Sequence, residues 1–207
     1  MLPEQKSICG LLLAGGQSRR MGGGDKCLMR LGGKTLLQRI VDTAMPQVGP
    51  LVLNTNSDPA LFGAYELPVA PDVIDGFAGP LAGVLTGLEW AQANAPECDW
   101  VASFACDAPF APPDLVARLV AAVMDQDADM ACANSGGRDH PVFALWPVRL
   151  ADDLRKAVVN EELRKVDVWT GRYKIARVEF DAGQGDPFFN VNRPEDLEAA
   201  AALLGNA

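Results

Sequence analysis

A glycine-rich loop with basic residues is the first feature of the sequence that could carry chemistry. The loop runs from Leu13 to Lys26 and reads LAGGQSRRMGGGDK. Glycines that follow an apolar segment let backbone N–H groups approach a phosphate, and Arg20 and Lys26 add positive charge. The pattern therefore predicts a phosphate-binding loop. A long surface turn is the alternative, because a loop of this kind is a weak signal by itself.

Two well-known phosphate-binding motifs do not fit this region. A Walker motif requires a glycine five positions before Gly33-Lys34-Thr35, and Leu28 stands there instead. The dinucleotide fingerprint G-x-G-x-x-G is broken by the run Gly15-Gly16-Gln17. The sequence thus argues against a Walker ATPase and against a nicotinamide-dependent dehydrogenase.

The charge of the chain is unevenly distributed. The whole sequence has a net charge of −9, but the region from Arg19 to Arg39 has a net charge of +5, so the remainder carries −14. The acidic total argues against nucleic acid as a partner, and the basic region predicts a local site for a small phosphorylated ligand. A solvated helix face is the alternative explanation of the basic region.

Further polar residues follow apolar segments that predict buried strands. These strands span Ser7 to Ala14, Leu51 to Asn54 and Trp100 to Ala105. Ligands bind beyond the carboxyl ends of parallel strands. The glycine-rich loop, Asn54, Asp72 and Asp107 should therefore converge at one edge of a sheet.

Helical patterns alternate with these strands. Apolar residues predict helices over Thr35 to Met45, with Thr35 as the cap, over Leu81 to Asn94, and from Pro113 onward. The predicted later elements are three strands and a helix: Met130 to Ala133, Val142 to Trp146, Arg177 to Phe180 and Pro194 to Leu204. The alternation predicts a single α/β domain over residues 1–207, a Rossmann-like three-layer fold with a mostly parallel central sheet.

Composition narrows the class of protein further. Of the 207 residues, 49% are hydrophobic and 22% are charged, as in globular proteins. The charge-free run from Gly76 to Leu88 has 13 residues and the longest one, from Thr43 to Ser57, has 15, and both are too short to span a membrane. Five cysteines without a CxxC pair argue against a disulfide scaffold and favour a reducing, cytoplasmic location. His140 is the only histidine, which excludes a multi-histidine zinc site.

The loop and five later motifs together resemble the molybdenum cofactor guanylyltransferases of the MobA type. In this sequence the motifs occur in order as LLLAGGQSRRMGGGDK, VLN (52–54), GPLAG (79–83), FACDAP (104–109), GRDHP (137–141) and FNVNRPEDL (189–197). They extend over nearly the whole chain. A single motif would indicate only some nucleotidyltransferase.

The resemblance implies transfer of GMP from GTP to the phosphate of molybdopterin, with release of pyrophosphate and with Mg²⁺ as cofactor. It implies catalytic roles for Arg20, Lys26 and Asp107, with Asp107 holding the metal. The implied nucleotide-binding residues are Leu13, Ala14, Gly15, Gly16, Lys26, Asn54, Asp72, Gly83 and Asp107. Asn54, Asp72 and Asp107 could instead close or cap turns, and Gly83 could belong to an ordinary Gly-Pro entry into a helix.

The C-terminal half is expected to bind molybdopterin, and the N-terminal half the nucleotide. The resemblance implies substrate contacts by Arg138, His140, Asn190 and Asn192. Paired amides at 190 and 192 would face one way in an extended segment and suit the edge of a pterin ring. A structural hydrogen bond for His140, and helix capping for Asn192, are the alternatives. Arg193 departs from the family pattern, in which a small hydroxyl residue is commoner.

Other functions remain open on sequence grounds. A cytidylyltransferase of the same cofactor, or another sugar or small-molecule nucleotidyltransferase, would share most of these residues. A non-catalytic nucleotide or cofactor carrier would have no need of Asp107 and Lys26 together. The implied partners are GTP, molybdopterin and proteins that deliver and collect the cofactor, with neither nucleic acid nor membrane.

Overall fold

The computed structural model describes residues 5–15, 25–76, 79–183 and 185–205. Nine strands occur in this part of the chain: β1 Ile8–Leu13, β2 Arg30–Leu31, β3 Lys34–Thr35, β4 Leu51–Asn54, β5 Val69–Ala70, β6 Trp100–Ala105, β7 Met130–Ser135, β8 Arg138–Pro147 and β9 Ile175–Phe180. The α-helices are α1 Leu36–Ala44, α2 Pro80–Asn94, α3 Leu115–Gln126, α4 Ala151–Asn160, α5 Val166–Thr170 and α6 Pro194–Gly205.

Seven of the strands form one sheet in the order β5-β4-β1-β6-β8-β7-β9. The pairs β4–β5, β1–β4, β1–β6 and β7–β9 are parallel, whereas β8 runs antiparallel to both of its neighbours. The predicted mostly parallel α/β sheet is confirmed. The antiparallel β8 follows β7 through a tight turn, Gly136-Gly137, in which both glycines have positive φ.

Helices cover the sheet on both faces because the strands are apolar on both sides. Along β1, Leu12 packs on the side of α1 and α3, and Leu11 packs on the side of α2, α4 and α5. Both leucine side chains are fully buried. This alternation produces three layers, as the sequence predicts.

The predicted elements lie close to the observed ones. The strands at Leu51–Asn54 and Trp100–Ala105 have the predicted bounds, and Thr35 caps α1 by accepting a hydrogen bond from the Gln38 backbone N–H at 3.0 Å. The helix predicted from Pro113 begins at Leu115. No helix in the described ranges is long and apolar enough to cross a membrane.

Candidate nucleotide and substrate site

The ends of three adjacent parallel strands bring predicted site residues to one edge of the sheet. β1 lies between β4 and β6, and these three strands end at Leu13, Asn54 and Ala105. The backbone N–H of Ala14 donates to Asn54 at 2.9 Å, and that of Cys106 donates to Leu13 at 3.1 Å. The convergence expected from the sequence is therefore present for the residues that follow β1, β4 and β6.

Lys26 is the centre of a cluster that joins distant parts of the chain. Its ammonium group lies 2.7 Å from Oδ2 of Asp107 and 2.6 Å from Oδ1 of Asn192. The Lys26 side chain is only 13% exposed, and the Asp107 side chain is 30% exposed. A cation, a carboxylate and an amide thus meet in a partly desolvated position, where charge interactions are stronger than in water.

The segment that carries Asn192 is fixed to the same strand end. The backbone N–H of Val191 donates to the carbonyl oxygen of Asp107 at 2.8 Å. Val191 is fully buried against a small core formed by α6 and the start of α1. These two contacts hold Asn192 beside Lys26, although the segment is not a strand.

Asp196, in the first turn of α6, binds the backbone of the segment that carries Asn192. Oδ2 of Asp196 accepts hydrogen bonds from the backbone N–H groups of Asn192 and Arg193 at 2.8 and 2.9 Å. A carboxylate in the first turn that reaches back to the helix entrance is half of a capping box. The Asn192 amide oxygen accepts a hydrogen bond from Lys26, which favours the predicted site role over helix capping.

A second cluster surrounds Asp72. Nδ2 of Asn54 donates to Oδ1 of Asp72 at 2.9 Å and to the carbonyl oxygen of Ala70 at 3.1 Å. Asn56 donates to the other carboxylate oxygen at 2.8 Å and accepts from the Asp72 backbone N–H at 2.8 Å. Asn54 is buried, whereas Asp72 is half-buried and open to a ligand on part of its surface.

Gly83 allows helix α2 to approach this cluster closely. A Cβ atom on Gly83 would lie 2.5 Å from Oδ1 of Asn54 and 2.6 Å from Cδ2 of Leu13. Real Cβ atoms essentially never come within 3.0 Å of such neighbours. Gly83 therefore lies directly against the side chains of Leu13 and Asn54, the last residues of β1 and β4.

Gly15 lies on the open side of the site. It is exposed, no atom of the described ranges lies within 4 Å of a Cβ atom built on it, and its φ is not positive. The predicted site residues Gly16 and Arg20 lie outside the described residues.

His140 is buried at a second position and hydrogen-bonded to Ser135. Nε2 of His140 lies 2.7 Å from Oγ of Ser135, which in turn donates to Oδ1 of Asp186 at 2.8 Å. Because the single Ser135 proton goes to Asp186, Nε2 of His140 must be the donor to Ser135. Burial lowers the pKa of His140 below its usual value, and the nearby Asp186 carboxylate opposes this shift.

This hydrogen bonding favours a supporting role for His140 and leaves the predicted substrate contact untested. The ring is 7% exposed and lies against Phe188, with ring centroids 4.6 Å apart. Phe188 belongs to the segment that continues to Asn190 and Asn192. His140 therefore fixes the start of the segment whose end contacts Lys26.

The remaining predicted substrate residues differ in exposure. Arg138 is exposed at the start of β8. Oδ1 of Asn190 is buried and has no hydrogen-bond partner within the described ranges. A buried amide oxygen without a partner costs free energy, and a ligand N–H or O–H group would satisfy it.

Two cysteines adjoin the cluster but do not supply a nucleophile. Burial is the largest cause that raises the pKa of Cys27 to about 12, and burial also raises the pKa of Cys106 well above its usual value. Both thiols therefore stay protonated near pH 7, and thiolates rather than thiols react. Both side chains are buried in the core on the side of the sheet that α1 and α3 cover.

The donor set fits a magnesium ion that is held jointly with a ligand. No group of three or more His, Cys, Asp or Glu side chains that could hold a metal occurs within the described ranges. Mg²⁺ in phosphoryl-transfer sites needs only one or two carboxylates, because phosphates and water supply the other oxygens. Asp107 provides one such carboxylate, 2.7 Å from the Lys26 ammonium group.

Sequence reasoning missed several residues that organise the site. Asn56 and Ser57 come shortly after Asn54, in the run Asn-Thr-Asn-Ser. Side chains of these types commonly fix turns, and this signal could have indicated them. Ser135 and Asp186 gave no sequence signal, because they are 51 residues apart and meet only in the fold.

Comparison with known proteins identifies a set of similar sequences. A family model described as the MobA-like NTP transferase domain matches residues 10–174. A protein of Bradyrhizobium sp. (strain ORS 278) named molybdenum cofactor guanylyltransferase is 54% identical over 95% of this chain and 93% of its own length. A protein of the same name from Rhodopseudomonas palustris (strain BisB5) is 53% identical over 93% and 92%.

The fold also has solved counterparts. The crystal structure of molybdopterin-guanine dinucleotide biosynthesis protein A from Archaeoglobus fulgidus aligns with a TM-score of 0.76 and 23% identity. The alignment covers 96% of this chain and 100% of that one. At this identity the likeness shows a shared fold.

Proposed function

Since the chain belongs to the MobA-like NTP transferase family, we propose that it transfers GMP from GTP to the phosphate of molybdopterin. The products are the guanine dinucleotide form of the cofactor and pyrophosphate. A phosphate oxygen of molybdopterin forms a bond to the α-phosphorus of GTP, and the bond between that phosphorus and the bridging oxygen to the β-phosphate breaks. The family membership and the names of relatives above 50% identity support this reaction.

The cluster of Lys26, Asp107 and Asn192 is the single observation that carries the proposal. The reaction brings two anions together, so negative charge must be stabilised around the α-phosphorus. The Lys26 ammonium, 2.7 Å from Asp107 and 2.6 Å from Asn192, is held where it can bind the triphosphate. Arg20, in the same glycine-rich loop, is proposed as a second phosphate-binding cation.

No side chain is required as a general base. A phosphate monoester has its second pKa near 6, so the attacking oxygen of molybdopterin is already ionised near pH 7. The residues therefore act by binding, orientation and charge. This agrees with a sequence that has one histidine, which is hydrogen-bonded to Ser135.

Asp107 is proposed as the ligand of Mg²⁺. When bound, the ion would stabilise charge on the phosphate oxygens. In the arrangement described here Lys26 donates to Oδ2 of Asp107, so the carboxylate is oriented and its charge is balanced. Lys26 and the ion held by Asp107 would together neutralise charge on the triphosphate.

Nucleotide binding is assigned to the N-terminal half and molybdopterin binding to the C-terminal half. The nucleotide residues proposed besides Lys26 and Asp107 are Leu13, Ala14, Gly15, Gly16, Asn54, Asp72 and Gly83. Contact of Gly83 with Asn54 supports an indirect role for this glycine. Arg138, Asn190 and Asn192 are proposed to contact molybdopterin, and the unpartnered amide oxygen of Asn190 supports a ligand there. His140 is proposed to support the segment that carries them.

The proposed setting is a reducing, cytoplasmic compartment, where other proteins deliver molybdopterin and collect the product. All five cysteines are buried and free, which supports the compartment.

The experiment is an assay with four nucleotides. The protein is incubated with Mg²⁺, molybdopterin and one of GTP, CTP, ATP or UTP, and the products are identified by mass. We expect a guanine dinucleotide and pyrophosphate. Product from CTP alone would instead identify a cytidylyltransferase, and the absence of product from every nucleotide would favour a carrier.

A further inference from the structure

The turn after β4 contacts both sides of the nucleotide site. It consists of Asn54, the last residue of β4, with Thr55, Asn56 and Ser57, and is called the β4 turn here. Asn54 and Asn56 bind Asp72, whereas Ser57 binds Asp25, the residue directly before Lys26. One short turn therefore connects the residue proposed to bind the nucleotide with the lysine proposed to bind its phosphates.

Asn56 holds Asp72 through a reciprocal pair of hydrogen bonds. Its amide nitrogen donates to Oδ2 of Asp72, and its amide oxygen accepts from the Asp72 backbone N–H, both at 2.8 Å. Asn54 occupies the other carboxylate oxygen from the buried side. With both oxygens bound, the Asp72 carboxylate has one orientation, and each oxygen keeps a lone pair for a ligand.

Ser57 holds the residue that precedes Lys26. Its hydroxyl group donates to Oδ1 of Asp25. Asp25 stands at the cap position of the short helical turn Lys26–Leu28, but its side chain makes no capping hydrogen bond there. Its backbone carbonyl oxygen accepts from Leu28 N–H at 2.9 Å. Through Asp25, the helical turn that contains Lys26 is therefore attached to the Ser57 side chain.

The β4 turn is itself fixed. Thr55 is buried, and its backbone N–H donates to Ala70 at 3.2 Å. The Thr55 hydroxyl accepts from the Ser57 backbone N–H at 3.2 Å, which is a local side-chain turn. Asn56 and Ser57 therefore start from a rigid backbone, as accurate positioning of other residues requires.

We propose that Asn56 and Ser57 are positioning residues for the nucleotide site, and this rests on the proposed function. Asn56 acts through Asp72, which contributes to binding of the nucleotide in the ground state, so its loss should raise the KM for GTP. Ser57 acts through Asp25 on Lys26, whose charge is needed most as charge develops around the α-phosphorus, so its loss should lower kcat.

The test compares Asn56→Ala, Ser57→Ala and Ser57→Thr with wild type. The control is Asn94→Ala, because Asn94 makes one side-chain hydrogen bond at the far end of α2, to Trp90. We expect Asn56→Ala to raise the KM for GTP by about tenfold with kcat little changed, since hydrogen bonds to charged groups are of this strength. We expect Ser57→Ala to lower kcat by about tenfold, and Ser57→Thr to restore it because the hydroxyl is kept.

A second measurement separates this proposal from the proposed function. GTP binding by calorimetry, together with thermal unfolding, is recorded for each protein without molybdopterin. A tenfold weaker affinity in Asn56→Ala at unchanged unfolding temperature supports positioning. If wild type forms product and both alanine variants keep its kcat, its KM and its affinity for GTP, the positioning proposal alone is overturned. The same holds if both variants lose affinity and turnover to the same extent and also unfold at a lower temperature. A wild type that binds GTP but forms no product overturns the proposed function instead.

Discussion

Replacing Gly83 by alanine should weaken GTP binding strongly while lowering the free energy of unfolding only a little. The new methyl group would lie 2.5 Å from Oδ1 of Asn54 and 2.6 Å from Cδ2 of Leu13, where ordinary contacts are 3.4–4 Å. Asn54 must therefore move by about an ångström or the helix must shift. Either movement disturbs the hydrogen bond from Asn54 to Asp72.

The size of both effects follows from the contacts. Overpacking of a filled core costs about 1–3 kcal/mol, and the better helix propensity of alanine offsets about 1 kcal/mol of this. A net loss of about 0–2 kcal/mol in unfolding free energy is expected. A hydrogen bond to a carboxylate contributes about 1.5–3 kcal/mol, so the KM for GTP should rise by about ten- to a hundredfold if Asp72 loses its orientation.

The matched control is Gly87→Ala, one turn further along α2. A Cβ atom there would lie 2.5 Å from Cδ2 of the buried Leu11, an overlap of the same size, and its three nearest atoms all belong to Leu11 rather than to Asn54. Chemical denaturation gives the unfolding free energies, and initial rates against GTP concentration give KM. Both variants should be destabilised similarly, and only Gly83→Ala should bind GTP weakly. Equal KM values in the two variants would refute the reasoning that Gly83 serves the position of Asn54.

Three further variants test other parts of the site. Asp107→Asn keeps the size of the side chain but removes its charge, so turnover should fall by about 10²-fold or more. The unfolding temperature should stay within a few degrees of the wild-type value. Unchanged Mg²⁺-dependent turnover would contradict the metal role. Gly15→Ala should lower kcat/KM for GTP relative to that for CTP by about 1–3 kcal/mol, because a purine needs more space than a pyrimidine and the ordinary φ of Gly15 admits an alanine. An unchanged ratio would place the base elsewhere. His140→Gln should make the free energy of unfolding decrease less steeply as the pH falls. Burial lowers the folded-state pKa of His140, so its stabilisation is complete above pH 6.5 and is lost as the pH falls below 6.5, by at most about 1.4 kcal/mol per pH unit. Denaturation at pH 7.5 and 5.5 checks this, and parallel losses in the two proteins would contradict it.

The parts of the fold with strong periodicity could be predicted from sequence. The strand Trp100–Ala105 and the Thr35 cap are examples, because apolar runs and capping residues act locally. Helix α4 was missed because its buried face is short and consists of Ala151, Leu154, Ala157 and Val158, which gives a weak pattern. The direction of β8 was also missed, since alternation of residues indicates a strand but not its orientation.

The candidate site likewise contains residues that the sequence could place and contacts that it could not. Asn54, at the end of one strand, and Asp107, just after another, could be placed at one edge of the sheet from the alternation of elements alone. The contact between Lys26 and Asn192 joins residues 166 positions apart, and that between Asp25 and Ser57 joins residues 32 apart. Such contacts depend on how loops cross the sheet edge, and local sequence carries no information on that.

Transfer of label from the α-phosphate of GTP tests the central claim most directly. Three proteins are compared: wild type, Lys26→Gln and Asp107→Asn. Each is mixed, in excess over α-labelled GTP, with Mg²⁺ and molybdopterin, and the labelled products are separated at successive times. The account predicts that wild type moves the label into a pterin guanine dinucleotide and releases unlabelled pyrophosphate, and that both variants do so at least about 10²-fold more slowly. Label that stays in GTP with the wild-type protein, or moves equally fast in all three proteins, would contradict it.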